Sequence, residues 1–246
     1  MRNSVLPCGN SRLRGLLLML LLCLPALPSL AQGPMSIIEL VDLDKKVQPA
    51  RLQRLCRLKG YTDVNIYYWH RSPSPFGYLV AYGPKARMKQ LLPLVKQAYF
   101  PLVDFYDAPF YKFDRHYCAD KTTAKQWDNI LLMATLVKDP AKQQEYLSHH
   151  ATQFQQWPEV AQGFCNASFQ QLLVFRQERR LMLVISIPKG DSLARLNPKT
   201  SENNPRVDEW NALMKQYQQG LDGTEPGETW VVATPIVAEK PVPAKK

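Results

Sequence analysis

The strongest constraint on the fold is an order of secondary-structure elements that occurs twice along the chain. Apolar residues at every second position indicate strands, whereas apolar residues three and four positions apart indicate helices. Four strand-like segments come first, namely SIIELVDL, DVNIYYWH, GYLVAYG and PLVDFYDAPFYKF. Two helical segments, QPARLQRLCRLKG and PKARMKQLLPLVKQAY, lie between them. The predicted order is β-α-β-β-α-β, and Pro93 inside the second helical segment predicts a kink or a break there.

The same order follows in the second half of the chain. NILLMATLVK, FQQLLVFRQ, RLMLVISIP and ETWVVATPIV are predicted strands. One helix begins at Asp139-Pro140, a good cap and first-turn pair, and the other covers RVDEWNALMKQYQQ. Each unit is expected to form a ferredoxin-like antiparallel sheet with its helices on one face. Since the bare sheet faces need cover, we predict an α+β fold of two tandem units packed sheet to sheet, an internal pseudo-dimeric barrel. Whether the whole chain is a monomer or a homodimer stays open.

Residues 1–31 have the composition of a secretory signal peptide. Three arginines precede an apolar run from Leu16 to Leu24, and Ser29-Leu30-Ala31 offers a small-residue cleavage site. The run is too short to span a bilayer, and no later segment reads as a membrane span. We expect an exported protein, periplasmic or secreted. A lipoprotein is less favoured, because Leu22 rather than a small residue precedes Cys23.

The rest of the chain divides by composition. We predict a first unit at 35–115, a linker at 116–128, a second unit at 129–237 and a disordered basic tail at 238–246. Residues 1–31 hold three of the 31 Lys and Arg and none of the 21 acidic residues, which leaves a net charge of +7. These charges are scattered along the sequence and the chain has an export signal, which argues against nucleic acid as a partner. The remaining cysteines, Cys56, Cys118 and Cys165, allow at most one disulfide and form no metal-binding pattern.

The segment EYLSHHATQFQQWPEV, residues 145–160, is the main candidate for a functional site. Tyr146 and His150 are four apart and project from the same side of a helix. His149 and His150 are adjacent and cannot face one metal ion, whereas a two-histidine clamp needs a spacing near four. Two interpretations remain: a buried helix end with aromatic neighbours, or an acid–base site, since imidazole titrates near neutrality.

Residues 129–237 resemble the L-rhamnose mutarotase family, whose members are dimeric ferredoxin-like barrels that interconvert sugar anomers. The resemblance rests on EYLSHH, WPEV, VFRQERRLMLVISIP and EWNALM, which occur in the order found in that family. It implies that His150 is the general acid and that Tyr146 contacts a substrate hydroxyl. It also implies a monosaccharide pocket that includes Trp157, Trp210 and Asn211. No nucleotide, flavin or metal cofactor is implied.

The chain departs from the family pattern at three points. Three extra residues lie between His150 and Trp157, Leu172 stands where the family has a tyrosine, and Asn211 stands where some members have a second tryptophan. The first unit has no Tyr/His pair and no WPE, so we expect at most one competent pocket, with the first unit covering the second sheet.

The resulting hypothesis is an exported mutarotase acting on L-rhamnose or a related 6-deoxyhexose. One alternative is a barrel of a polysaccharide-utilisation system that binds a sugar without turnover. Another is a cofactor-independent monooxygenase, which would be favoured by an apolar pocket lined only by Leu172, Phe154 and Trp157.

Overall fold

A computed structural model describes residues 33–43, 47–99 and 102–237. The expected signal peptide at 1–31 and the expected tail at 238–246 lie outside these residues. Within the described ranges, no helix combines the length and the apolar character needed to cross a membrane.

The first half contains the predicted β-α-β-β-α-β order. Its elements are β1 (Met35–Leu43), α1 (Pro49–Leu58), β2 (Asn65–His70), β3 (Phe76–Pro84), α2 (Lys85–Ala98) and β4 (Leu102–Tyr106), followed by β5 (Tyr111–Asp114). The strands pair antiparallel in the order β4-β1-β3-β2, which is the ferredoxin-like order. Helix α2 continues through Pro93 without a break.

The second half repeats this order with a more divided helical region. Its elements are β6 (Trp127–Leu136), α3 (Pro140–Ala151), α4 (Gln153–Gln156), α5 (Pro158–Asn166), β7 (Gln171–Gln177), β8 (Arg180–Pro188), α6 (Leu193–Leu196), α7 (Pro205–Lys215), β9 (Gln218–Gln219), β10 (Val231–Val232) and β11 (Thr234–Pro235). The sheet order β10-β6-β8-β7 matches the order of the first sheet strand for strand. The predicted α+β class and the duplication are therefore confirmed.

The two halves exchange edge strands, which the sequence did not predict. β5 follows the first half but pairs antiparallel with β7 of the second sheet, and β11 follows the second half but pairs with β2 of the first. The single strands predicted at 101–113 and 228–237 are each divided between two sheets. Pro109, which has no backbone N–H to donate, lies between β4 and β5. The predicted first unit, 35–115, thus extends one strand into the second sheet, and the predicted linker, 116–128, already includes the start of β6.

The sheets pack face to face, and each carries its helices on the outer face. The core between the sheets is filled by large side chains, which include Ile37, Tyr67, Tyr82, Phe175, Met182 and Val184. It also holds a buried ionic contact in which Glu39 Oε1 on β1 lies 3.6 Å from Arg180 Nη1 on β8. Tyr106 donates a hydrogen bond to the other carboxylate oxygen of Glu39 at 2.5 Å. The strand exchange and this packing make the chain an internal pseudo-dimer.

Candidate functional site

A cavity of about 460 Å³ lies on the outer face of the second sheet, under the helices of that half. Its floor consists of aliphatic side chains that point away from the first sheet, namely Leu132, Leu172, Val174, Leu183 and Ile185. The walls come from helices α3, α5 and α7 and from the segments around 197–200 and 227–230. The space between the sheets is filled, so the hollow belongs to one half rather than to the interface of the two.

Helix α3 carries the two residues that the spacing singled out. The Asp139 side chain caps its first turn by accepting from the backbone N–H of Ala141 at 2.9 Å, with Pro140 at the first helical position. Tyr146 and His150 both point inward and line the cavity, with ring centroids 4.3 Å apart. The four-residue spacing therefore places the phenol and the imidazole side by side on the cavity wall.

The protonation of His150 is set by its surroundings. The Nδ1 atom lies 2.9 Å from the backbone carbonyl of Tyr146, and a carbonyl only accepts, so Nδ1 carries the proton. In the neutral ring Nε2 then has a free lone pair, and it makes no hydrogen bond to any described residue. Burial lowers the pKa of His150 to about 4, since the side chain is 9% exposed and loses the hydration of its cation. At pH 7 this imidazole is a neutral hydrogen-bond acceptor, which differs from the expected group that titrates near neutrality.

Aromatic rings from both halves surround His150. Trp210 on α7 contacts it with centroids 5.3 Å apart. Tyr111 on β5 lies at 5.2 Å, and Phe110, just before β5, lies at 5.5 Å. Because β5 follows the first half in sequence and pairs with the second sheet, the strand exchange supplies one side of the site. Sequence reasoning missed Phe110 and Tyr111, because no local pattern shows which sheet a strand joins.

Trp157 does not line the cavity, in contrast to its expected role as a substrate contact. It lies at the junction of α4 and α5, where its ring packs against Trp210 at 5.6 Å and Arg206 stacks on it at 3.9 Å. The extra residues before it form the short helix α4. Gln153 at its start accepts from the Tyr111 hydroxyl at 2.8 Å and donates to the Trp157 carbonyl at 2.9 Å. Trp157 thus supports Trp210, and the insertion ties β5 to this support.

Polar groups occupy the other side of the cavity. Asn211, the remaining predicted contact, lines it together with Lys215 one helical turn later, and both side chains are exposed. Trp230 Nε1 donates to Gln218 Oε1, and Gln218 Nε2 donates to the Tyr146 hydroxyl, each at 3.1 Å. Burial raises the pKa of Tyr146, so its hydroxyl stays protonated. The phenol accepts from Gln218 and keeps its own proton for another acceptor.

A disulfide joins two segments next to the cavity. Cys118, just after β5, is bonded to Cys165 on α5, the helix that contributes Val160 and Phe164 to the wall. The third described cysteine, Cys56, is a buried thiol in the first half. The cross-link therefore fixes the exchanged strand and its tyrosine against the second half.

The fold and the site together define a duplicated ferredoxin-like protein with one aromatic, histidine-bearing cavity. Residues 130–237 match the family described as L-rhamnose mutarotase. A curated relative, the L-fucose mutarotase of Xanthomonas campestris pv. campestris, is 33% identical over 82 residues, which are 33% of this chain and 65% of that protein. The chain thus spans slightly less than two thirds of the length of this relative. The second half of the chain is similar to the mutarotase family.

Two solved structures are similar to this chain at low identity. One is a candidate monooxygenase from Lactobacillus acidophilus NCFM, at 8% identity and a TM-score of 0.42, with 83% of this chain and 94% of that chain covered. The other is an anthrone oxidase-like protein, at 9% identity and a TM-score of 0.45, with 85% and 93% covered. The ferredoxin-like fold is assigned from strand order alone.

Proposed function

We propose that the protein is an exported sugar mutarotase that interconverts the α and β anomers of a 6-deoxyhexose such as L-rhamnose or L-fucose. The observation that carries the proposal is the convergence of His150, Tyr146 and Trp210 on one cavity in the half that is similar to the mutarotase family. A cavity of about 460 Å³ lies within the usual range for small-molecule sites, roughly 300–1,000 Å³. Its aliphatic floor suits the methyl group and the C–H face of a deoxysugar, while the hydroxyls meet the polar wall.

Anomer exchange needs two proton transfers in each direction. Ring opening removes the proton of the anomeric hydroxyl and delivers a proton to the ring oxygen as the C1–O5 bond breaks. The open-chain aldehyde then rotates about C1–C2, and closure on the other face reverses both transfers. The reaction is balanced without an oxidant, a reductant or a second substrate.

In the proposed mechanism His150 takes the proton of the anomeric hydroxyl during opening and returns it during closure. A neutral imidazole whose Nδ1–H is held by the Tyr146 carbonyl presents Nε2 as the base. Each imidazolium formed is buried and short-lived, because burial disfavours its charge. The same residue is therefore the base in one half of the reaction and the acid in the other, whereas the family resemblance implied only the acid.

The proton for the ring oxygen comes from a second donor in this proposal. The Tyr146 hydroxyl and the Lys215 ammonium both line the cavity and both carry donor protons. Tyr146 is held by Gln218, which in turn is held by Trp230, so its orientation is fixed before the substrate arrives. We assign the acid role to Tyr146 on this ground, with Trp210 as the wall that stacks on the sugar and Asn211 as a hydroxyl contact.

Export is part of the proposal. The segment 1–31 has the features of a secretory signal peptide. The Cys118–Cys165 disulfide supports the same conclusion, since disulfides persist in oxidising compartments such as the periplasm and the extracellular space. Fractionation of cells that express the full chain, followed by detection of the shortened protein outside the cytoplasm, tests this point.

The test of activity is saturation-transfer NMR on the anomeric protons of L-rhamnose and L-fucose. We expect the wild-type protein to accelerate exchange over buffer, and His150→Asn to lose about 10²- to 10⁴-fold of that acceleration, the range usual for one acid–base residue. His149→Asn is the matched control, because His149 does not line the cavity and bonds to Tyr217 instead, with Nε2 3.1 Å from the hydroxyl. Full activity in His150→Asn contradicts the assigned role. Sugar binding by calorimetry without faster exchange in the wild type supports the non-catalytic sugar-binding barrel.

A second candidate, a monooxygenase-like barrel for an apolar ring, is supported by the aliphatic floor, although Phe154 and Trp157 do not line the cavity and polar side chains do. All five residues that form the floor have no polar atom in the side chain. This candidate predicts that a flat aromatic phenol binds more tightly than any monosaccharide and that oxygen is consumed on mixing. Tighter binding of the deoxysugar, with no oxygen uptake, excludes it.

A further inference from the structure

The excess positive charge of the protein gathers on one outer face, although it is scattered along the sequence. Helices α1 and α2 of the first half carry Arg51, Arg54, Arg57, Lys85, Arg87, Lys89 and Lys96, and neither helix contains an Asp or a Glu. The α-helices of the second half are balanced, with four basic and four acidic side chains, namely Lys142, Arg195, Arg206, Lys215, Glu145, Glu159, Asp208 and Glu209. Only the first half therefore presents a strongly charged helical layer.

The two helices form one continuous surface. Arg51 near the start of α1 stacks on Tyr99 after the end of α2, with its guanidinium carbon 5.4 Å from the ring centroid. Arg87 near the start of α2 stacks in the same way on Tyr61 after the end of α1, at 4.6 Å. The helices thus lie side by side and antiparallel. With 10 and 14 residues they are about 15 and 21 Å long, and at a usual spacing of about 10 Å they form a nearly flat face.

Few of these charges are neutralised within the protein. Lys85 pairs with Asp107 at 2.5 Å, and Arg87 pairs with Asp63 at 3.3 Å. The others point to solvent, and no carboxylate in the described part of the chain lies within 4.0 Å of them: Arg51, Arg54, Arg57, Lys89 and Lys96. Like charges that share one face without a carboxylate beside them repel in the isolated protein and attract an external anion.

An exposed leucine lies among these cations. Leu58 at the end of α1 is 75% exposed, and Arg57 and Lys59 flank it in sequence. A soluble polyanion would gain nothing from this side chain, whereas a lipid surface offers headgroup phosphates for the cations and an apolar region for the leucine. The combination of a flat face, clustered cations and an exposed leucine points to a membrane surface rather than to a linear polyanion.

We propose that the surface formed by Arg51, Arg54, Arg57, Leu58, Lys59, Lys89 and Lys96, called the basic face from here on, docks the protein onto anionic lipid headgroups. The basic face covers the outer side of the first sheet, and the cavity lies under the helices on the outer side of the second. Docking therefore leaves the cavity directed away from the lipid. The first half, which has no Tyr/His pair, acquires a function of its own that does not depend on mutarotase activity.

The test is co-sedimentation of the full chain with vesicles of phosphatidylcholine alone or of phosphatidylcholine with a minority of phosphatidylglycerol. The decisive variant is the triple charge reversal Arg54→Glu, Arg57→Glu and Lys89→Glu. The matched control reverses three exposed lysines elsewhere, Lys121→Glu, Lys142→Glu and Lys189→Glu, and so has the same net charge. All proteins share residues 1–31 with their three arginines, so binding through that segment is the same in each and cancels when the basic-face variant is compared with the control.

We expect the wild type and the control to bind anionic vesicles in preference to neutral ones, and this preference to fall as salt rises. The basic-face variant should bind anionic vesicles about 100-fold more weakly than the wild type. Leu58→Ser should weaken binding about tenfold, which only a partner with an apolar layer explains. Three results overturn the proposal: equal losses in the basic-face variant and the control, no preference for anionic vesicles, or tight binding to heparin or DNA with none to vesicles.

Discussion

In the first half, α1 and α2 close directly onto their sheet through the fully buried side chains Leu52, Met88 and Leu91. In the second half, α3, α5 and α7 stand off from an equivalent sheet and leave a cavity between them. Strand order is shared, so the difference lies in the helices. The second half divides its first helical region into three pieces and carries on its helices Tyr146, His150 and Trp210, whose rings pack on one another and on Tyr111 of β5.

Duplication thus separates two tasks that a single unit has to combine. A filled unit gains packing free energy and has an outer face free for other use, here the basic face. A hollow unit gives up core contacts to form a site. The hollow unit also receives the additional supports, since the Cys118–Cys165 cross-link and the exchanged strand β5 both reach the cavity wall.

The largest expected effect comes from removing the cross-link that only the hollow half has. The double change Cys118→Ser and Cys165→Ser should lower the free energy of unfolding by about 4 kcal/mol, from the chain entropy of a loop with a sequence separation of 47. Sugar binding should weaken as well, because β5 carries Tyr111. Denaturant unfolding measures the loss of stability, and calorimetry measures the loss of sugar affinity. Cys56→Ala in the filled half is the control, and a loss there as large as in the double variant would contradict a special support of the cavity.

A second effect, about 3 kcal/mol, follows from the buried imidazole. The pKa of His150 is about 4 in the folded protein against 6.5 when unfolded, so between these values the unfolded chain binds a proton that the folded chain does not. The contribution of His150 to the free energy of unfolding is therefore complete above about pH 6.5 and declines as the pH falls towards 4. The difference in unfolding free energy between the wild type and His150→Asn, measured from pH 4 to pH 7.5, isolates this residue. A difference that does not vary with pH would show that His150 is hydrated.

The smallest effect, a difference of about 1.5 kcal/mol between two substitutions, tests the packing contrast itself. Leu91→Ala in the filled half should cost about 3 kcal/mol, the usual value for a new cavity in a closed core. Leu172→Ala, on the floor of the existing cavity, should cost about 1.5 kcal/mol, because part of its surface already lacks packing partners. Denaturant unfolding gives both losses of free energy from the shift in the midpoint, with the dependence of the unfolding free energy on denaturant concentration unchanged. Equal losses would mean that the second half closes on its cavity in solution.

Part of the fold was predictable because the signals are local. Alternation in segments such as SIIELVDL and the Asp139-Pro140 helix start follow from the residues in place. The sheet that residues 111–114 and 234–235 join was not predictable, since these short segments could pair with any free sheet edge. Which edge they reach depends on how the two sheets face each other, and this is a property of the assembled molecule.

The residues of the site likewise fall into a group that the sequence predicts and a group that it does not. Tyr146 and His150 meet because residues four apart on a helix must meet, and Trp210 was indicated by the family resemblance. Trp157 was expected in the pocket, yet its direction is decided by the turn between α4 and α5. Tyr111 was missed, because its contact with His150 spans the strand exchange.

Local residue patterns were enough to predict the duplicated element order, the similarity of the second half to the mutarotase family and the pairing of a phenol with an imidazole, because each can be read from short segments of the chain. Only the tertiary structure decided which half is hollow, which strand completes the site, that His150 is neutral at pH 7 and that scattered cations form one face. These properties arise from burial and from contacts between distant segments, and both exist only once the two sheets have packed together.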